Sequence, residues 1–74
     1  MFEIVKRILN SYTSVPDSEI TLQSSITMDL LMDSLSIVNA ITEIEDELNI
    51  EIDIDDLKDM VYVGDLVHYL EKYS

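Results

Sequence analysis

The chain has no cysteine, so disulfides and thiolate metal sites are excluded. Its one glycine, Gly64, cannot build a glycine-rich phosphate loop. Its one histidine, His68, makes no transition-metal site by itself and reads as an ordinary, partly exposed helix position. Only four lysines and arginines oppose sixteen aspartates and glutamates. No apolar run is long enough for a secretory signal or a membrane span, and the segment MFEIVKRILN carries Glu3, Lys6 and Arg7. The expectation is a cytoplasmic chain held together by apolar packing.

What is present is short, apolar and acidic. The 74 residues make one domain, 1–74, with a small core, since such a chain buries only roughly 60% of its unfolded surface. Hydrophobic residues make up 47%, too many for a disordered chain. A net charge of −12 repels nucleic acid and anionic membranes and attracts basic protein surfaces. It also repels itself, so a monomer is expected, with weaker folding at low salt.

Phe2, Val5, Leu9 and Tyr12 recur at helical steps, with Ile4 and Ile8 beside them. This predicts an amphipathic helix of about three turns, ended by Pro16. Residues 16–33 form a long, apolar connection without a clean period, expected to pack over the core with one helical turn near 28–31. Ile37, Ile41, Ile44 and Leu48 form a seam over residues 35–48, the best-defined helix. Residues 49–55, NIEIDID, alternate like a strand but have no second alternating run to pair with. They are read as an extended loop anchored by Ile50, Ile52 and Ile54. A short helix over 55–60 follows, started by an aspartate cap. A last helix begins near Val63 or Gly64, with Val63, Leu66, Val67, Leu70 and Tyr73 on its apolar face. The fold class is all-α: a small four-helix bundle, three helices long and one short.

Several chemistries fail on the residues. Asp53, Asp55 and Asp59 suggest a calcium loop, but Leu57 takes a ligand position and the required glycine is missing. A triad of Ser34, His68 and Asp33 has no nucleophile elbow or oxyanion turn around it. Ser34 itself, in MDSLS, is open to two readings. Asp33 or Ser34 could cap the helix that begins there. Equally, a serine at a helix N-terminus can anchor a phosphate ester, since free N–H groups and the dipole favour an anion.

Residues 20–73 resemble the carrier proteins of fatty acid, polyketide and nonribosomal peptide assembly, in one register without a gap. Asp33, Ser34 and Leu35 match the family's Asp-Ser-Leu signature. Ser25, Ile26, Asp29 and Leu30 match its lead-in, and Val38, Ile41, Ile44, Glu45 and Leu48 its second helix. Ile50 to Ile52 match the approach to the third helix, and Val63, Leu66, Tyr69 and Leu70 the last. The resemblance implies that Ser34 carries a 4′-phosphopantetheine arm, transferred from coenzyme A by a phosphopantetheinyl transferase. The arm's thiol would hold an acyl group as a thioester, and the protein would catalyse nothing. Leu35, Asn39, Thr42, Glu45, Asp46, Glu51 and Asp56 would dock on basic patches of partner enzymes. Ile26, Leu30, Val38, Ile41, Ile44, Ile52 and Met60 are the candidate lining of an acyl pocket, or else plain core.

Four positions depart from the family's pattern. Leu31 occupies a position where the family often has glycine. Asp53 replaces a frequent proline, while Ser36 and Asn39 replace frequent acids. The top of the docking helix is therefore less acidic than in fatty acid carriers, which favours a specialised pathway. Two other readings remain beside the acyl carrier: an aminoacyl or peptidyl carrier, and an acidic interaction module in which Ser34 only caps a helix.

Overall fold

The computed structural model describes residues 1–72; the expected place of Tyr73 on the last apolar face lies outside them. Four α-helices run in chain order: α1 (Phe2–Asn10), α2 (Ser34–Leu48), α3 (Ile54–Leu57) and α4 (Val63–Glu71). The all-α bundle of three longer helices and one short one is as the periodicity predicts.

The helix α1 buries Val5, Ile8 and Leu9, with Glu3 in its first turn and Arg7 in its last, both favourable to the helix dipole. It stops at Asn10, before Pro16 is reached. The five residues before the proline are instead held by side-chain hydrogen bonds. Asn10 Nδ2 donates to Val15 O at 3.1 Å, and the Thr13 hydroxyl donates to Leu30 O at 2.7 Å.

In the long connection, Ile20, Ile26, Leu30 and Met32 are buried, while Leu22, Met28 and Leu31 are exposed. The turn expected near residues 28–31 lies slightly earlier. Ser25 O accepts the N–H groups of Asp29 (2.9 Å) and Leu30 (3.0 Å), and Asp29 Oδ2 accepts the Ser25 N–H at 2.7 Å. Leu31 then takes a left-handed backbone, φ 55°. For a leucine that conformation costs roughly 1 kcal/mol.

The connection is tied to the start of α4. Val63 N–H donates to Ser24 O at 2.9 Å, Gly64 N–H to Leu22 O at 2.8 Å, and Ile26 N–H to Val61 O at 3.0 Å. Two amides of α4's first turn, which have no partner inside a helix, are thereby satisfied. The approach is close: a Cβ on Gly64 would lie 2.9 Å from Leu22 O.

Asn49 ends α2 in a left-handed turn, φ 56°, and residues 50–53 then run on without regular secondary structure and, as expected, form no ladder. Of their anchors, Ile52 is buried and Ile50 half-buried, but Ile54 is exposed. Ile54 is not a loop residue at all; it opens α3, whose cap is Asp53, accepting the Asp55 N–H at 2.9 Å. That helix starts and ends earlier than residues 55–60. The core gathers Val5, Leu9, Ile44, Val63, Leu66 and Leu70 between α1, α2 and α4.

Candidate functional site

The helix α2 begins at Ser34, and its cap is Asp33. The Asp33 backbone is extended, φ −86° and ψ 176°, and its carboxylate accepts the Ser36 N–H at 2.8 Å. That bond, with one from the Ser36 hydroxyl, holds the Asp33 carboxyl below the ordinary carboxylate value. The alternative left open by the sequence is thus resolved. Ser34 does not cap the helix; its side chain is exposed, and its hydroxyl has no hydrogen bond among the described residues. It stands in the first turn of a 15-residue helix, where amide N–H groups point outward and an anion is favoured. The Ser34 hydroxyl is exposed and makes no hydrogen bond among the described residues that a phosphate ester would break, so the residues present fit such a group.

Leu35, Asn39, Thr42 and Asp46 lie along α2 at helical steps, and all four are exposed, as is Val38 among them. They form one stripe leading away from Ser34. Glu45 sits differently. It is half-buried, and its Oε2 accepts the Ile52 N–H at 2.7 Å, pinning the loop after α2. Glu51 and Asp56 are exposed on the following loop and on α3. No lysine or arginine stands between Arg7 and Lys58. Glu43 and Glu47, on another face of α2, accept from Tyr12 (2.6 Å) and Arg7 of α1.

A cavity of about 50 Å³ opens beside α2, lined by Leu9, Ile26, Thr27, Met32, Ile37, Ala40, Ile41, Leu57, Met60 and Leu66. Ile26, Ile41 and Met60 of the expected acyl-pocket residues belong to it. Leu30, Ile44 and Ile52 are buried but outside the lining, and Val38 faces solvent. Of the α2 residues that line it, Ile37 and Ile41 belong to the seam visible in the sequence, while Ala40 does not. The contributions of Leu9 and Leu66 come from distant segments and were not visible there. A void that admits a benzene ring measures roughly 150 Å³. The closed cavity holds only a very small group unless α2 and α3 part.

Among the described residues, no helix is long and apolar enough to cross a membrane, and no group of three His, Cys, Asp or Glu is placed to hold a metal ion.

The bundle and its exposed serine define a class, and comparison with known proteins gives its family. A profile described as "Phosphopantetheine attachment site" matches residues 3–70. The chain is 39% identical over 74 residues to an acyl carrier protein of Clostridium perfringens, covering all of this chain and 97% of that one. It is 35% identical over 72 residues to an acyl carrier protein of Thermotoga maritima, covering 97% and 89%. The solved acyl carrier protein of Enterococcus faecalis superposes with a TM-score of 0.82 at 30% identity, over 99% of this chain and 92% of that one. The chain belongs to the phosphopantetheine attachment site family. Its prosthetic group is 4′-phosphopantetheine, and its function is that of an acyl carrier.

Proposed function

We propose that Ser34 is the attachment residue and that the 74-residue chain acts as a single, monomeric carrier domain in the cytoplasm. The observation that carries this reading is the division of labour at the start of α2. Asp33 takes the capping bond, and Ser34 is left exposed with a free hydroxyl. Asp33 and Leu35 complete the attachment site. Among the described residues no imidazole is placed beside Ser34 by the sequence, since the single histidine, His68, is on α4, and the adjacent Asp33 carboxylate is engaged with Ser36 and held a weak base by that bond. The chain therefore offers a nucleophile and relies on the transferase for the base. When attached, the arm supplies a thiol that holds acyl cargo as a thioester.

The stripe of Leu35, Asn39, Thr42 and Asp46, with Glu51 and Asp56 beyond it, is the face we assign to docking. Its acids favour fast encounter with basic patches over tight binding, as a carrier that must leave each enzyme requires. Glu45 contributes charge to that face while its carboxylate holds Ile52. The cavity lined by Ile26, Ile41 and Met60 is where a short acyl chain enters if the helices part. Ser36 and Asn39 soften the acidity near Ser34, which favours a polyketide or other specialised pathway over housekeeping fatty acid synthesis.

The test is direct. Incubation with coenzyme A and a broad-specificity phosphopantetheinyl transferase should add the mass of one phosphopantetheine group to wild type and none to Ser34→Ala. A wild-type chain that stays bare while a control carrier is loaded, or a loaded Ser34→Ala, refutes the assignment.

A further inference from the structure

The first turn of α2 is held by little of its own. Ser34 and Leu35 are exposed, Ser36 and Ile37 are half-buried, and the first buried residue of the helix is Ala40. Upstream of Ser34 the nearest buried side chain is Met32. Where Ser34 stands on the surface therefore depends on the turn that delivers Met32 and the Asp33 cap.

That turn passes through Leu31, whose left-handed backbone is disfavoured for a leucine. Burial of Leu30 and Met32 holds it, together with the bond from Met32 N–H to Ile26 O at 3.2 Å and that from the Thr13 hydroxyl to Leu30 O at 2.7 Å. Of the hydrogen bonds at this turn among the described residues, only the one from Thr13 comes from outside the connection. It ties the turn to the segment that follows α1. Thr13 is itself oriented, since its Oγ1 accepts the Val15 N–H at 3.3 Å.

We infer that Thr13 is a positioning residue for the loading of Ser34: by holding the Leu30 carbonyl, its hydroxyl fixes the turn that sets where the Ser34 hydroxyl is presented. The inference rests on the assignment of Ser34. In the loading step Ser34 Oγ bonds to the phosphorus that bears pantetheine. The bond from that phosphorus to the bridging oxygen of coenzyme A breaks, and adenosine bisphosphate leaves with the electron pair. The hydroxyl proton passes to a base of the transferase. Thr13 touches none of these atoms. It acts on the placement of the attacking oxygen, where an error of about 1 Å costs up to about a hundredfold in rate. The exposed stripe farther along α2 does not depend on Thr13, so the loss falls on kcat and not on KM.

Full-length wild type, Thr13→Val, Thr13→Ser and Asn10→Ala are loaded by a broad-specificity phosphopantetheinyl transferase with coenzyme A, well below every melting midpoint. Valine keeps the shape of threonine and loses the donor, while serine keeps the donor. Asn10→Ala loosens the same segment by removing the bond to Val15 O, and leaves the bond to Leu30 O in place. Thr13→Val should lose about five- to tenfold in kcat, with KM within about twofold of wild type. Thr13→Ser and Asn10→Ala should both load within about twofold of wild type. Hydrogen exchange of the Met32 amide should quicken in Thr13→Val and not in the other two. A Thr13→Val chain that loads like wild type, or whose loss lies in KM, overturns the inference and leaves Ser34 standing. An equal loss in Thr13→Ser or Asn10→Ala, or an unmoved Met32 amide in Thr13→Val, overturns it in the same way. A wild-type chain that takes no group at all, while a control carrier does, overturns both.

Discussion

Asp33 and Ser34 are adjacent, polar and both good helix caps, yet they do different things. Asp33 accepts the Ser36 N–H at 2.8 Å and starts α2, while Ser34 keeps its hydroxyl for solvent. Asp33→Ala should therefore lower the thermal midpoint by a few degrees, with Asp33→Asn in between. Ser34→Ala should leave the midpoint unchanged while abolishing loading. Circular dichroism melts of the three variants decide; the reverse ranking would move the cap to Ser34. The sequence could not separate the two, because sliding the helix start by one residue exchanges their roles. The deciding feature is the extended backbone of Asp33, a conformational fact with no signature in residue type. Leu31 was similar. Its place in a position where carriers often have glycine was legible, but its positive φ was not.

Along α2, neighbouring acids differ in what they hold. Glu45 is half-buried and accepts the Ile52 N–H at 2.7 Å, whereas Asp46 is exposed. Removing Glu45 leaves a part-buried amide without a partner, so Glu45→Ala should cost about 1–2 kcal/mol in urea unfolding. Asp46→Ala should stay within about 0.5 kcal/mol. Charge reversal aimed at docking belongs at Asp46 for the same reason. At the start of α4, Gly64→Ala should cost about 1–3 kcal/mol, because its Cβ would meet Leu22 O at 2.9 Å and push the connection off α4. The longer helices were legible because Val5 and Leu9, Ile37 to Leu48, and Val63 to Leu70 repeat at helical steps. The tie between Ser24 and Val63 was not, since it joins segments far apart in sequence through backbone atoms alone. Ile54 misled for a related reason. Alternation in NIEIDID continues through it, but the Asp53 cap starts a helix there and turns its side chain outward.

For the molecule as a whole, the opposition is between a small apolar core and a net charge of −12. Folding brings the carboxylates closer together, so screening should stabilise the native state. Raising ionic strength from about 0.01 to 0.2 M shortens the screening length from about 30 Å to under 10 Å. Thermal stability should rise over that range, while transfer from a basic-patched partner enzyme should slow. Acid acts in two opposing ways. As pH falls from 7 toward about 4.5, partial protonation reduces the net charge and should stabilise the fold. Asp33 and Asp65 work against this at lower pH. The Asp65 carboxylate accepts the Tyr62 and Val61 N–H groups, both at 3.0 Å, and is held below its ordinary value by them, as Asp33 is by Ser36. Groups whose folded value is depressed contribute stability above their unfolded value, 3.8, and lose it as pH falls through the lower folded value. Stability should therefore pass through a maximum near pH 4–5 and decline below it. The double variant Asp33→Asn, Asp65→Asn should be less stable at neutral pH and show a shallower acid decline. A profile that falls steadily from pH 7, or a double variant with the same acid decline as wild type, would show that charge repulsion and these two carboxylates do not set the pH response.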